Sequence, residues 1–146
     1  MVIPAYGRRT QLQPAEAVIR AQRLEVVLTD CDGVLTDGLV YYSERGEELK
    51  RFSFRDGMGI ERLADAGVRT AIVTRERSLV VEQRARKLGV RLFQGVRDKA
   101  VALRDILSEL GIGAHQVAYI GDDVNDLGVL EHVSLEGLTA APSDAE

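Results

Sequence analysis

Apolar and polar positions change period repeatedly along this chain, and the changes mark out alternating helices and strands. PAEAVIRAQRL (14–24) carries apolar residues at helical spacing behind Pro14, a residue suited to a first turn, and predicts a short N-terminal helix. LEVVLTD (24–30) is a β-branched run without polar alternation, the pattern of a buried parallel strand. GLVYY (38–42) and ELKRFSF (48–54) read as two strands about SERGE, a β-hairpin over 38–54. MGIERLADAG (58–67) predicts a helix stopped by Gly67, and VRTAIVT (68–74) a second core strand. SLVVEQRARKLG (78–89) reads as a helix between Ser78 and Gly89, followed by the strand VRLFQG (90–95). Then come a helix capped by Asp98 (98–111), the strand QVAYIGDD (116–123), a short helix VNDLGVLEHV (124–133) and a final strand in SLEGLTAAP.

Helices alternating with strands at these lengths predict an α/β fold, a doubly wound parallel sheet covered on both faces, in one domain over 1–146. Such sheets bind ligands beyond the carboxyl ends of their strands. The polar residues fall at that edge. Asp30 and Asp32 follow the first core strand, Thr74 ends the second, and Asp122 and Asp123 follow the fourth, while Lys99 opens a helix at the same rim.

Composition narrows the function classes. A net charge of −4 and a pI near 5.3 argue against a nucleic-acid-binding face. No apolar run reaches the roughly 18 residues of a membrane helix. MVIPAYGRRTQLQ lacks the apolar core of an export signal, so the expected location is cytoplasmic. One cysteine, Cys31, excludes an internal disulfide and a thiolate zinc site, and it reads as a small buried residue. His115 and His132 have no partner pattern and read as structural.

The acids set the chemistry. Two carboxylates about 4 Å apart repel by about 4 kcal/mol at an effective dielectric near 20. With Asp122, Asp123 and Asp126 added, the cluster requires a cation or raised pKa values. Lys99 supplies one positive charge. An all-oxygen ligand set without histidine or cysteine favours Mg²⁺, which keeps several waters and is typically completed by phosphate.

DCDGVLTDG, the VT at 73–74, Lys99 and GDDVND (121–126) resemble, in order, the four motifs of the haloacid-dehalogenase-like phosphohydrolases. DGVLTDG followed by a hairpin and FRDGMG (54–59) resembles their small capless branch, which includes 3-deoxy-manno-octulosonate 8-phosphate phosphatases and the phosphatase domains attached to acylneuraminate cytidylyltransferases. The match runs over about residues 24–133. It implies a Rossmann-like sheet with a hairpin flap and no cap domain. It also implies Mg²⁺-dependent hydrolysis of a sugar phosphate, with Asp30 as the nucleophile that becomes an aspartyl-phosphate. Asp32 would be the acid and then the base, with its backbone carbonyl on the metal. Asp30, Asp32 and Asp122 would surround Mg²⁺, supported by Asp123 and Asp126. Thr74 and Lys99 would hold the phosphoryl oxygens, and RDG adds Arg55, Asp56 and Gly57 to the substrate contacts.

Where the octulosonate enzymes carry a T/S-G-R run, this chain reads TRERS (74–78), with Arg75 in place of glycine. Glu76, with Arg84 and Lys87 one helix later, resembles the members acting on nonulosonate 9-phosphates and favours that substrate over an octulosonate 8-phosphate. The resemblance further implies a homotetramer assembled through the hairpin. Relatives continue beyond the point where this chain reads APSDAE, so part of their substrate covering is expected to be missing. Two rivals remain. A receiver domain shares the sheet, Mg²⁺, aspartate and lysine but accepts phosphate on a middle strand, which here ends VTRE. A non-catalytic oligomerisation domain beside a nucleotidyltransferase is disfavoured by the intact Asp30 and Asp32.

Overall fold

The computed structural model describes residues 13–145. The stretch through Leu12, read above for an export signal, lies outside the described residues. A first helix, α1 (Pro14–Ala21), starts at its proline and stops three residues short of the expected Leu24, where Gln22 and Arg23 turn into the first strand. That strand, β1 (Val26–Thr29), is buried at every position, as its unbroken apolar run requires. A hairpin follows, β2 (Tyr41–Ser43) and β3 (Gly46–Leu49), and then α2 (Phe54–Asp65). The rest alternates strictly: β4 (Arg69–Thr74), α3 (Leu79–Leu88), β5 (Arg91–Gln94), α4 (Lys99–Leu110), β6 (Val117–Ile120), α5 (Leu127–Ser134) and β7 (Leu138–Ala140).

Five strands form a parallel sheet in the order β5-β4-β1-β6-β7. Because side chains alternate across a strand, neighbouring core residues face different layers. Val26, Leu28, Ala71, Val73, Val117 and Tyr119 pack with Leu103 and Ile106 of α4 and Val129 and Val133 of α5. Ile72 faces the other way, onto Val81 and Ala85 of α3 and onto Cys31. Each such aliphatic side chain contributes about 1.5–3 kcal/mol on full burial. The doubly wound sheet is therefore the observed fold, with an antiparallel hairpin and no cap domain among the described residues. None of the described helices is long and apolar enough to cross a membrane.

The hairpin and its exit differ from expectation. Glu44 and Arg45 make a two-residue turn, and the ladder ends where Tyr41 pairs with Leu49, instead of running to Phe54. Phe52 instead forms an isolated antiparallel bridge with Thr36 at the end of the β1 loop. Ser53 then accepts a hydrogen bond from the Arg55 amide at 3.0 Å and caps α2, so that helix begins at Phe54, four residues before Met58. The last motif also splits: Val124–Asp126 is a 3₁₀ turn that feeds α5.

Candidate active site

The carboxyl end of β1 delivers Asp30 to the rim, where its amide still donates to the Ile120 carbonyl of β6 at 2.9 Å. The chain then wraps tightly, with the Cys31 carbonyl accepting from the amides of Leu35 and Thr36 at 2.9 and 3.1 Å. Gly33 sits in this turn at φ +87°, and a Cβ there would overlap the Asp122 carboxylate. The first loop and the end of β6 can approach this closely only with glycine at that point.

Asp126 organises the floor. It is inaccessible to solvent. Its Oδ1 accepts from the Lys99 ammonium at 2.7 Å and from the Tyr119 hydroxyl at 2.6 Å. Its Oδ2 accepts from the amides of Asp122 and Asp123 at 3.1 and 3.4 Å. Gly121 allows this approach, since a Cβ there would lie 2.6 Å from that of Asp126. Lys99, also buried, bridges onward to Asp30 Oδ2 at 2.7 Å, and the Cys31 amide donates to Asp30 Oδ1 at 2.7 Å. Burial pushes the Asp30 carboxyl up to about 6, although Lys99 pulls the other way. The Asp122 carboxyl is also raised, by burial first and then by the charges of Asp126 and Asp123. Burial holds the Cys31 thiol protonated, pushed up to about 12, so it is a packing residue and no nucleophile.

A cation suits this place. Carboxylate oxygens of Asp30, Asp122 and Asp126 all lie within 4.8 Å of one another, against the single ammonium of Lys99. Asp122 Oδ1 is buried without a hydrogen-bond partner, an atom that is costly to leave so. Asp126 already accepts four hydrogen bonds, whereas Asp30 accepts one at each oxygen and Asp122 Oδ1 none, which leaves Asp30 and Asp122 as the carboxylates with lone pairs to offer a metal. The donors are all oxygen, and the residues fit a hard divalent ion such as Mg²⁺.

A cleft of about 580 Å³ opens above this floor. Asp30, Asp32, Thr74, Glu76, Asp122 and Asp123 line it, with Arg75 and Asn125 beside them. Asp123 also caps the 3₁₀ turn, accepting from the Val124 amide and the Asn125 side chain. The other expected substrate contacts stand elsewhere. Arg84 donates to the Ser53 carbonyl at 2.9 Å and lies over the Phe52 ring at 5.4 Å, so it braces the start of α2. Gly57 is buried beneath Arg84, while Lys87 and Arg55 are exposed and Asp56 is half-buried. None of these five residues lines the cleft. The resemblance that grouped Glu76 with Arg84 and Lys87 took no account of the partner that the early start of α2 gives Arg84.

Two participants were not read from the sequence. Tyr119 offers a signal: a phenol at an inward alternate position beside Val117, just before the acids. Lys50 offers none, since a lysine in EELKRF looks like a solvated strand residue. In the structure its ammonium donates to Asp32 Oδ1 and Oδ2 at 2.7 and 2.9 Å and lies 3.5 Å from Glu47.

Residues 85–137 match the family model of the haloacid dehalogenase-like hydrolases. The chain is 41% identical over 132 residues to the 3-deoxy-D-manno-octulosonate 8-phosphate phosphatase of Escherichia coli K12, covering 90% of this chain and 69% of that protein. The cobalt-bound deoxy-D-mannose-octulosonate 8-phosphate phosphatase of Haemophilus influenzae superposes with a TM-score of 0.81 at 38% identity, over 87% of this chain and 73% of that one. The 3-deoxy-D-manno-octulosonate 8-phosphate phosphatase of Moraxella catarrhalis, solved with magnesium ion, phosphate ion and a KDO molecule, gives 0.78 at 31% identity, over 90% and 83%.

Proposed function

This chain belongs to the haloacid dehalogenase-like hydrolases, among relatives of the 3-deoxy-D-manno-octulosonate 8-phosphate phosphatases, and on that premise we propose that it hydrolyses the phosphate monoester of a 2-keto-3-deoxy sugar acid with Mg²⁺. The observation that carries the reading is the buried Asp30–Lys99–Asp126 chain beside the unpartnered oxygen of Asp122. Asp30 and Asp122, with the Asp32 backbone carbonyl, would hold the magnesium. When bound, magnesium offsets the negative charge of the phosphoryl oxygens and of the acids around them.

Asp30 attacks phosphorus as the sugar oxygen departs, which converts one difficult displacement into two easier ones through an aspartyl-phosphate. Lys99, fixed between two carboxylates, keeps Asp30 aimed and presents positive charge to the phosphoryl group. Asp32 gives its proton to the departing oxygen and then takes one from the water that attacks the aspartyl-phosphate. Thr74, buried at the end of β4, offers its hydroxyl to a phosphoryl oxygen.

The named relatives favour an octulosonate 8-phosphate as the substrate. The nonulosonate 9-phosphate reading now rests on Glu76 alone, because Arg84 is engaged at Ser53 and Lys87 stands off the cleft. The hairpin is proposed to assemble a homotetramer.

A Mg²⁺-supplemented screen of five- to nine-carbon sugar phosphates tests the function. We expect turnover of the sugar-acid phosphates, fastest for the octulosonate, and its loss in Asp30→Asn and Asp32→Asn. Undiminished turnover in both variants removes the mechanism, and a faster nonulosonate reverses the order of substrates.

A further inference from the structure

Lys50 is the buried cation to which the chemistry above gives no part. Its side chain is only 4% exposed, although it directly follows the exposed Leu49 at the end of β3. Lysine is almost never buried without a partner, and here both partners are acids. The ammonium lies 2.7 Å from Asp32 Oδ1, 2.9 Å from Asp32 Oδ2 and 3.5 Å from Glu47. Glu47 is itself held by the Ser78 hydroxyl at the start of α3. Lys50 is therefore fixed from behind by the hairpin and α3, and it presents a positioned donor to Asp32. Both oxygens of Asp32 lie within hydrogen-bond distance of the same ammonium. Oδ1 has the shorter contact and the Thr36 hydroxyl at 3.5 Å besides; Oδ2 has Lys50 alone.

We infer that Lys50 is a positioning residue for Asp32: its ammonium, anchored by Glu47, holds the Asp32 carboxyl group by both oxygens and keeps it aimed at the departing oxygen. The inference rests on the acid/base role proposed for Asp32. An ammonium only donates, so its part toward Asp32 is to hold the carboxyl group in place. In the first step the bond from phosphorus to the sugar oxygen breaks, the bond from phosphorus to Asp30 forms, and the Asp32 proton moves to the sugar oxygen. In the second step water supplies the new oxygen on phosphorus, the Asp30 bond breaks, and the water's proton returns to Asp32. Lys50 loses no proton in either step. Its part is geometric, and it makes the hairpin part of the acid.

An alkoxide leaves poorly without a proton, whereas a nitrophenolate leaves without help. The test therefore compares two substrates in each protein. Wild type, Lys50→Met and Lys50→Arg are assayed with Mg²⁺ in the first turnover, on the sugar-acid phosphate hydrolysed fastest and on p-nitrophenyl phosphate. Positioned acid catalysis is worth roughly 10²–10⁴-fold. Lys50→Met is expected to slow release of the sugar by about 100-fold and first-turnover release of nitrophenolate by less than about three-fold, with Lys50→Arg recovering part of the loss. Because both rates come from the same sample, a misfolded fraction lowers them equally and leaves their ratio unchanged. Equal loss on both substrates, or loss on neither, overturns the inference while leaving the phosphatase reading intact. A wild type that releases nitrophenolate but spares every sugar phosphate removes the proposed substrate class, and the role of Lys50 with it.

Discussion

Asp126 touches no solvent and receives four hydrogen bonds, so its effect on chemistry passes through the groups that donate them. The hydroxyl of Tyr119 is the donor most cleanly removed. Tyr119→Phe keeps the ring in the core, and a hydrogen bond to a charged group contributes about 1.5–3 kcal/mol. The expected result is a lower urea midpoint at unchanged slope within that range, together with a roughly tenfold lower kcat as Asp126, and through it Lys99, is held less firmly. An unchanged kcat would show that Lys99 needs no help from Tyr119. Asp30 gives a second prediction through its raised carboxyl. The folded chain holds that proton more tightly than the unfolded chain, so metal-free stability falls as pH rises from about 3.8 through about 6. Asp30→Asn cannot ionise. Its stability relative to wild type in chelator should rise between pH 5 and pH 7.5 by about 1.4 kcal/mol, the part of the shift that lies above pH 5 at 1.36 kcal/mol per pKa unit. Added Mg²⁺ should stabilise wild type more at pH 7.5 than at pH 5. Thermal melts of both proteins at both pH values check the sign, and the opposite trend contradicts the assignment of the shift. At this scale the sequence reads well wherever strand periodicity places a residue: Asp30, Thr74, Lys99 and Asp122 reach one rim because each closes or opens a core element. Arg84 and Lys50 defeat that reading, because their positions depend on contacts made across 31 and 18 residues of chain.

The elements that cap themselves are the ones whose ends can be read. Ser78 and Asp98 accept from the Val81 and Val101 amides, and Gly89 and Gly111 take the left-handed conformation that stops α3 and α4. α2 was harder to see. Ser53 follows a strand-like alternation, and Gly57 and Gly59 weaken the helical pattern, each costing about 1 kcal/mol against alanine in a helix. Gly57 is used in packing, with Arg84 and Leu88 at 3.2 and 3.4 Å from where its Cβ would be, while nothing lies near that of Gly59. Ser78 also joins elements, since its hydroxyl caps α3 while binding Glu47 of the hairpin. Ser78→Ala should therefore cost about 1 kcal/mol for the cap and also loosen β3. Hydrogen exchange at Gly46–Leu49 is expected to quicken more than at β1 or β4, and Ser78→Thr should restore both properties. Uniform acceleration across the sheet would show a cap and no tether.

At the scale of the whole molecule, the chain buries its sheet thoroughly and leaves its hairpin bare. Tyr41 and Leu49, paired across the ladder, are 71% and 62% exposed, and Leu39, Tyr42, Phe54, Met58 and Leu79 are exposed as well. A two-stranded hairpin is marginal alone in water, and this one is held through the contacts of Lys50 and Glu47 and the bridge from Phe52 to Thr36. Apolar residues set together on one projection and its base mark an interaction surface. A second copy of the chain is the proposed occupant. Burying several such side chains at about 1.5–3 kcal/mol each offsets the translational, rotational and ordering costs of association, so self-association is expected. Light scattering should report a mass near four chains for the wild type. Replacing the cross-strand pair by Tyr41→Glu and Leu49→Glu puts two like charges in the interface and should yield smaller particles, because buried unpaired carboxylates cost more than the apolar contacts they replace. The parallel sheet does not include either residue, so its melting should survive the change. If the double variant keeps the wild-type mass, the association surface lies elsewhere. If the wild type is a monomer, the hairpin is held by Lys50, Glu47 and the Phe52–Thr36 bridge, and Lys50→Met should then loosen it in a hydrogen-exchange experiment.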